Sequence, residues 1–205
     1  MTRTDSRIYL ASRSPRRREL LHRIGVQFDL LLFRSAPRED VEVNEVLLPD
    51  EAPEAYVVRV ACAKATHGAR LLSERQLLAR PLLSADTTLD LDGEVIGKPE
   101  DEDEATAILT RLSGRSHRVL TAVAMIHGTH LEHFLSVSTV HFRDLSKDEI
   151  HRYVLSGEPL DKAGAYAIQG YAAIFVAEIH GSHSGIVGLP LCETAQLLRR
   201  FGCLV

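Results

Sequence analysis

The chain has 205 residues, of which 45% are hydrophobic and 25% are charged. This composition excludes disordered, collagen-like and coiled-coil proteins. The 24 lysines and arginines against 28 aspartates and glutamates leave a net charge of −4, which argues against a nucleic-acid polymer or an anionic membrane as the partner. A small anionic ligand stays compatible with this charge, because a pocket can be locally basic.

The cysteines and the N-terminus indicate a cytoplasmic protein. Cys62, Cys192 and Cys203 are odd in number and form no C-x-x-C pair, which suits free thiols in a reducing compartment. The first ten residues contain no apolar stretch long enough for a signal peptide. No window of the chain approaches the roughly 18 apolar residues that a membrane helix needs.

Apolar patterning predicts strands and helices in irregular alternation. In chain order they are strand 8–10, helix 15–24, strand 26–33, helix 54–72, strand 82–86, hairpin 88–96, helix 100–112, strands 119–126 and 131–142, helix 146–155, strand 172–179 and helix 189–201. Ser14 and Pro15 form a helix start signal, and Asp92-Gly93 is a strong turn signal. The polar, proline-containing stretch 34–53 is predicted to be a long loop.

Hairpins mixed with helical connections point to the fold class. They favour an α/β fold with a mixed, twisted central sheet flanked by helices over a doubly wound parallel sheet. The length fits one large domain or two intimate lobes, at roughly 150 residues per domain.

The first candidate site is the basic segment 12–18, where strand 8–10 ends and a helix begins. Free N–H groups at a helix N-terminus bind phosphate, and arginines add bidentate donors. Arg16 and Arg17 stand at the helix end where the dipole disfavours cations, so they need an anion or a carboxylate partner. A solvated basic turn is the alternative interpretation.

The second and third candidates surround the predicted hairpin. Asp86 directly follows an apolar strand, where α/β proteins place ligands, although a turn-capping aspartate would look the same. Segment 93–99 is not a P-loop, because three residues instead of four separate its glycines and proline follows Lys98. Lys98 is therefore either a point charge for a phosphate or an exposed hairpin lysine.

The remaining candidates lie in the second half of the chain. Segment 157–170 is dense in small residues, which permits close approach of another segment or of a ligand, and Gln169 can present its amide to a nucleobase edge. Segment 181–185 lacks the serine of a G-x-S-x-G elbow. The histidines near 127–133 straddle a predicted turn, which favours a polar surface over a zinc site.

Seven segments in this order carry a family resemblance: 10–17, 85–87, 97–99, 112–114, 161–166, 168–170 and 187–190. On these motifs the chain resembles the Maf family of nucleoside triphosphate pyrophosphatases over essentially its whole length. The resemblance implies a single domain over 1–205, with two lobes that share one sheet, a cleft between the lobes, and a fold similar to that of inosine triphosphatases.

The resemblance also implies an activity and a set of site residues. The activity is hydrolysis of a nucleoside triphosphate between the α and β phosphorus, with a divalent cation (Mg²⁺ or Mn²⁺), by a protein that is often a homodimer. Asp86 matches the catalytic acidic residue that activates water, and Glu45 matches the acidic residue that helps Asp86 to hold the metal. The positions that match substrate-binding or specificity residues are Ser12, Arg16, Arg17, Lys64, Thr87, Lys98 and Gln169, with Lys64 and Lys98 facing the phosphates.

Arg16, Thr87 and Gln169 match the positions that separate the subfamilies. The branch similar to 7-methyl-GTP pyrophosphatases has Trp, Gln and Glu there, whereas this chain contains no Trp to stack on a cationic base. A neutral amide offers a donor and an acceptor together, which suits the O4 and N3–H edge of uracil or thymine. The expected substrates are dTTP and UTP. The alternatives are a pyrophosphatase for modified-base triphosphates and a non-catalytic, nucleotide-binding regulator of cell division.

Four positions depart from the usual pattern of the family. Asn44 stands where many relatives have a second carboxylate, which predicts weaker metal binding or a site in which Glu45 and Asp86 suffice. Ala167 replaces a frequent glycine and requires a negative φ. His183 and Gly185 replace a common tyrosine and asparagine.

Overall fold

The computed structural model describes residues 7–33 and 43–203, in which a seven-stranded sheet is flanked by helices. The strands are β1 (Ile8–Leu10), β2 (Phe28–Leu30), β3 (Leu82–Leu91), β4 (Glu94–Ile96), β5 (Ser116–His127), β6 (His130–Phe142) and β7 (Val176–His180). The helices are α1 (Pro15–Arg23), α2 (Pro53–Glu74), α3 (Glu102–Leu112), α4 (Lys147–Val154), α5 (His183–Val187) and α6 (Leu191–Arg200). Short 3₁₀ segments cover Glu158–Asp161, Ala163–Ala165 and Tyr171–Phe175.

The sheet combines parallel and antiparallel pairs, in the order β2-β1-β3-β5-β6-β7 with β4 paired to β3. Strand β1 runs parallel to β2 and to β3, whereas β3, β5, β6 and β7 form an antiparallel series. The predicted mixed central sheet flanked by helices is therefore confirmed. The division into two lobes that share this sheet stays a prediction.

Strand β3 lies at the centre and is buried on both faces. Because successive side chains of a strand point to opposite faces, Leu83 packs with Leu20 of α1 and Leu197 of α6. Leu82, one residue earlier, packs with Val57 of α2 on the other face. A third apolar cluster joins the far end of β3 to α3 and α4.

One edge of β3 is interrupted. Strand β1 pairs with β3 only at Leu82 and Leu83, and β4 begins to pair at Leu89. The opposite edge is paired with β5 from Leu82 to Asp90. Among the described residues, positions 84–88 therefore have no strand beside them on the first edge, and this gap locates the site described below.

Local signals explain most of the observed elements. Ser14 caps α1, its hydroxyl accepting a hydrogen bond from the backbone N–H of Arg17 at 3.5 Å. Asp92 and Gly93 both have positive φ, at 56° and 87°, as the two-residue β3–β4 turn requires. Residues 43–52 carry no helix or strand, in line with the predicted loop, and positions 34–42 of that prediction lie outside the described residues.

The prediction of one strand over 172–179 is wrong in its first half. Residues Tyr171–Phe175 form a 3₁₀ turn, and β7 starts only at Val176. Ala172 and Phe175 are both completely buried, and a spacing of three residues places them on one side of a 3₁₀ turn but on opposite sides of a strand. Helix α5 was not predicted, and β2 is shorter than the predicted strand 26–33.

Within the described part of the chain, none of the helices combines the length and the apolar character needed to cross a bilayer.

His117 introduces a pH-sensitive group into the core. Its side chain is buried, Nε2 lies 2.9 Å from the hydroxyl of Tyr166, and the ring packs edge-on against Phe142. Its Nδ1 has no hydrogen-bond partner among the described residues. Burial, with a smaller contribution from the charge of His141, lowers the pKa of His117 from 6.5 to about 4.

We predict that His117 makes the fold less stable in mild acid. Its folded-state pKa lies below its unfolded-state pKa, so as pH falls below about 6.5 the unfolded chain takes up a proton that the folded chain refuses. Between pH 7.5 and pH 5 this removes about 2 kcal/mol from the free energy of unfolding. In urea titrations at the two pH values, His117→Gln should lose less stability than the wild type by about that amount. His133→Gln, an exposed position on β6, is the control; equal losses in all three proteins would contradict the prediction.

Candidate active site

The interrupted edge of β3 opens into a cavity of about 720 Å³. The segments on either side of the gap line its mouth: residues 11–17 after β1, and Gly97 with Lys98 after β4. The structure brings all nine predicted site residues to this one cavity: Ser12, Arg16, Arg17, Glu45, Lys64, Asp86, Thr87, Lys98 and Gln169. Their placement together is observed, and their individual roles stay predictions.

The alternation of β3 sends two neighbouring residues to different partners. Asp86 points to the face covered by α2 and meets Lys64, whereas Thr87 points to the face covered by α1 and meets Arg17. In a fully paired strand these side chains would be separated by the sheet. Both reach the cavity because the edge beside them is open.

Lys64 bridges the two acidic residues of the site. Its Nζ lies 2.8 Å from Oδ1 of Asp86 and 2.8 Å from Oε1 of Glu45. The Lys64 and Asp86 side chains are only 15% and 12% exposed, whereas Glu45 is 55% exposed. The ammonium therefore offsets the repulsion between two carboxylates that face the same space.

Tyr56 lines the same wall of the cavity as Lys64, eight residues earlier on α2. Its hydroxyl donates a hydrogen bond to the backbone carbonyl of Glu45 at 3.0 Å. Burial, reinforced by the negative charges of Asp86 and Glu45, raises the pKa of Tyr56 to about 12. The phenol therefore stays protonated and keeps this donor through the physiological pH range.

Arg17 is held by three acceptors. Its Nε donates to the carbonyl of Gly188 at 2.8 Å, Nη1 to the hydroxyl of Ser12 at 3.4 Å, and Nη2 to the hydroxyl of Thr87 at 3.2 Å. Burial lowers the pKa of Arg17, and the charges of Asp86 and Glu45 counteract this effect. The contacts fix a planar cation against the wall of the cavity.

A chain of hydroxyl groups continues from Thr87 into the core. The Oγ1 atoms of Thr87 and Thr121 are 2.9 Å apart, and Thr121 Oγ1 donates to the carbonyl of Gly185 at 2.8 Å. A threonine hydroxyl has one proton, and that of Thr121 is committed to Gly185. Thr87 must then donate to Thr121, so Thr87 Oγ1 is an acceptor towards Arg17 and towards the cavity.

The loop that carries Gln169 packs against the β3–β4 hairpin. The backbone N–H of Gly164 donates to the carbonyl of Gly97 at 2.9 Å. Gly164 has φ +72°, and a Cβ atom there would lie 2.1 Å from Leu89, which explains the small residue. Ala167 is not among the described residues with positive φ, which agrees with the negative φ expected for alanine at this position. Gln169 is exposed at the mouth of the cavity.

Several residues that shape the cavity were not predicted as site residues. Tyr56, Lys162 and Gly188 line it, and Thr121 is hydrogen-bonded to Thr87, which lines it. Lys162 lies in the motif 161–166 and lines the cavity, so that motif was the available signal. Tyr56 stands two turns before Lys64 on α2, which helical spacing could have indicated. Thr121 lies in an apolar strand, and no local pattern distinguishes it.

The described residues include no group of three or more histidines, cysteines, aspartates or glutamates that could hold a metal ion. Two carboxylates, those of Glu45 and Asp86, are close enough to share the ammonium of Lys64. Two carboxylates completed by water and substrate oxygens are a common ligand set for Mg²⁺. The donor set therefore fits a cation bound together with a phosphate ligand.

Comparison with known proteins identifies the class to which this fold and site belong. Residues 7–201 match the family described as Maf-like protein, and the chain belongs to that family. A relative from Dechloromonas aromatica is 59% identical over 96% of this chain and 98% of its own length, and one from Aromatoleum aromaticum is 58% identical over 97% of each. A third, from Cupriavidus pinatubonensis, is 54% identical over 94% and 96%. Each of the three is named dTTP/UTP pyrophosphatase.

A solved structure, that of the Staphylococcus aureus Ham1 protein, is similar over 95% of this chain and 97% of its own. The identity is 16% and the TM-score 0.47, a likeness too distant to transfer any property of the site.

We predict that lysine cannot replace Arg17 even though the charge is kept. An ammonium cannot reach the acceptors on Gly188, Ser12 and Thr87 in one fixed plane as a guanidinium does. Arg17→Lys should therefore lower the free energy of unfolding by about 1–2 kcal/mol.

The measurement is urea unfolding followed by circular dichroism at pH 7.5. Arg23→Lys is the matched control, because Arg23 lies on the same helix and forms an exposed ion pair with Glu19. The control should stay within about 0.5 kcal/mol of the wild type. An equal effect at the two positions would mean that the three contacts of Arg17 contribute no stability of their own.

Proposed function

We propose that this chain hydrolyses dTTP and UTP to the monophosphate and pyrophosphate. The observation that carries the proposal is the Glu45–Lys64–Asp86 cluster, which lines the same cavity as residues 12–17 of the basic segment. Membership of the Maf-like family, and relatives 54–59% identical that are named dTTP/UTP pyrophosphatase, support the same reaction.

The basic side chains provide the binding energy for the triphosphate. A triphosphate carries about four negative charges, and Arg16, Arg17, Lys64 and Lys98 all line the cavity. Fixed cations that face the leaving group stabilise the charge that develops on pyrophosphate as the bond from the α phosphorus breaks. Arg17, held by three contacts, needs no reorganisation to do this.

Asp86 is the residue that we assign to the attacking water. Its carboxylate accepts the proton of a water that attacks the α phosphorus, and pyrophosphate leaves with the electrons of the broken P–O bond. A carboxylate is a weak base towards free water, so Asp86 must also be oriented, and the contact with Nζ of Lys64 at 2.8 Å provides that orientation. Water and the triphosphate are consumed, and the monophosphate and pyrophosphate are formed.

A divalent cation, Mg²⁺ or Mn²⁺, completes this proposal. Glu45 and Asp86 would hold it, and the remaining ligands would be water and substrate oxygens, because the described residues place no third carboxylate beside these two. When bound, such an ion neutralises phosphate charge and polarises the reacting phosphoryl group. Asn44 adds no ligand charge because its amide is neutral, and its amide oxygen already accepts the backbone N–H of Val46 at 2.8 Å.

The base is proposed to meet Gln169, with Thr87 and Arg16 nearby. The Gln169 amide offers one donor and one acceptor to the O4 and N3–H edge of uracil or thymine. Thr87 Oγ1 offers only an acceptor, because its proton is committed to Thr121. Neither side chain provides an aromatic face for a methylated, cationic base.

We further propose that the protein acts as a homodimer in the cytoplasm, as the family resemblance implies. Cys62, Cys192 and Cys203 are all free thiols, which supports a reducing compartment.

We predict that Asp86→Asn loses turnover while remaining folded. The amide cannot take a proton from water, so kcat for dTTP and UTP should fall by about 10²–10⁴-fold. The measurement is pyrophosphate release with Mg²⁺ or Mn²⁺ over a panel of canonical and modified nucleotides, with an EDTA-treated sample as the metal control.

The matched control for Asp86 is Asp90→Asn, four residues further along the same strand. Asp90 is ion-paired with Arg118 and does not line the main cavity, so this variant should lose stability and keep turnover. A fully active Asp86→Asn protein would refute the mechanism. Preference for a modified purine triphosphate would favour the modified-base alternative, and nucleotide binding without turnover would favour the regulator.

We predict that Gln169→Glu weakens recognition of the pyrimidine edge. A carboxylate keeps the acceptors of the amide but loses its N–H donors, which leaves the O4 atom of the base without a partner. The kcat/KM for dTTP and UTP should fall by about 10–100-fold. Gln196→Glu, the same substitution at an exposed position of α6, should have no effect. Unchanged base preference in Gln169→Glu would remove the specificity argument.

A further inference from the structure

Side chains of α2 hold three consecutive backbone carbonyls of the loop that carries Glu45. Arg59 donates from Nη1 to the carbonyl of Asn44 at 2.8 Å and from Nη2 to that of Val46 at 3.0 Å. Tyr56 donates to the carbonyl between them, that of Glu45, at 3.0 Å. The peptide groups on both sides of Glu45 are therefore attached to one helix.

Arg59 is itself held in place. Its guanidinium forms a bidentate pair with Glu51, with Nε–Oε1 at 2.6 Å and Nη2–Oε2 at 2.7 Å. The Glu51 side chain is only 9% exposed, and it also accepts the backbone N–H of Leu48 at 3.1 Å. The guanidinium carbon lies 5.6 Å from the centre of the Tyr56 ring. Such a planar fork, held on several sides, is rigid.

The loop needs this support because it has no regular backbone structure. Residues 43–52 form no helix or strand, and the side chains from Asn44 to Leu48 are exposed. A segment with little burial and no ladder of backbone hydrogen bonds opens at a low free-energy cost. The hydrogen bonds that Tyr56 and Arg59 of α2 donate to the loop carbonyls hold the loop in place of such backbone hydrogen bonds.

The same helix also carries the group that Glu45 reaches. Lys64 follows Arg59 by five residues on α2, and its Nζ lies 2.8 Å from Oε1 of Glu45. Helix α2 thus binds the backbone beside Glu45 through Tyr56 and Arg59, and the Glu45 carboxylate through Lys64. Asp86 meets the same ammonium, so the distance between the two acidic groups depends on where α2 holds the loop.

We propose that Arg59 is a positioning residue for the reaction, acting through Glu45. Arg59 does not line the cavity, and its fork sets the place of the Glu45 carboxylate beside Lys64 and Asp86. The inference rests on the proposed function, in which Glu45 takes part in turnover.

Arg59→Gln tests this inference together with Arg59→Lys, which keeps the charge but cannot span two carbonyls and a carboxylate. A displacement of a reacting group by about 1 Å can cost 100-fold in rate. We expect both variants to lose about 10–100-fold in kcat for dTTP with less than about threefold change in KM. In the Glu45→Gln background the Arg59 substitution should have little further effect on kcat, because the two residues act through one path.

Hydrogen–deuterium exchange without nucleotide or metal supplies an independent readout. Arg59→Gln should exchange the amides of residues 43–52 at least tenfold faster than the wild type does, with α6 unchanged. Arg143→Gln is the matched control, because Arg143 also donates to two carbonyls, those of Ile174 and Asp144, and pairs with a glutamate, Glu149. That variant should lose stability and keep both kcat and the exchange of residues 43–52.

The outcomes separate this inference from the proposed function. If Glu45→Gln is impaired while Arg59→Gln turns over normally, the inference is overturned and the function stands. If Arg59→Lys restores normal kcat, charge and not geometry is what matters, and the positioning role is lost. If Glu45→Gln is fully active, the role proposed for Glu45 and the inference are overturned together.

Discussion

The interruption in the edge of β3 is the constraint on which the site depends. A central strand with neighbours on both edges separates the side chains of successive residues into two unconnected faces. Here β1 has ended and β4 has not begun along positions 84–88. Asp86 and Thr87 therefore serve one cavity from two faces, and the segments after β1 and β4 reach it from the two ends of the gap. On its other edge β3 is paired with β5 from Leu82 to Asp90, and β1 and β4 pair with it on either side of the gap.

The gap also determines how charge is distributed. The net charge of −4 is a property of the whole surface. Inside the cavity, the acidic cluster and the basic wall lie on different segments of the chain. One ammonium on α2 stands between two carboxylates, which leaves this cluster with a single excess negative charge. The arginines of the segment after β1, and Lys98 after β4, supply the positive wall. An acidic protein can thus offer a basic pocket to a polyanion, with an acidic pole at the place proposed for the reacting phosphorus.

The sequence predicted those parts of the structure that depend on local chemistry. Ser14 and Pro15 indicate the start of α1, and Asp92-Gly93 indicates the turn of the hairpin. The prediction that Asp86 directly follows an apolar strand is wrong, because β3 continues past it to Leu91, and Asp86 reaches the cavity through the open edge of the strand. The gap itself follows from where three distant segments end, which no local pattern records. Arg59 escaped prediction for a similar reason, since its acceptors are backbone carbonyls of a loop and have no sequence signature. The misassigned stretch 172–175 is apolar enough for a strand, but its backbone forms a 3₁₀ turn that buries both Ala172 and Phe175.

The direction of the hydrogen bond between Thr87 and Thr121 links the contact of Thr121 with α5 to the choice of base. The carbonyl of Gly185 can only accept, so it determines the donor role of Thr121, and Thr121 in turn determines that of Thr87. The Gly185 carbonyl also accepts from the backbone N–H of Gly188. The acceptor at the end of this series of hydroxyl groups therefore belongs to the hydrogen-bonded backbone of α5. A Cβ atom at Gly185 would lie 2.9 Å from Oγ of Ser136, so a larger residue there would require that hydroxyl to shift. A buried backbone carbonyl on α5 thus determines the hydrogen-bonding character of Thr87, a cavity residue on β3. In the proposed reaction, that character would favour a base with an N–H on the edge facing Thr87 over one with a lone pair there.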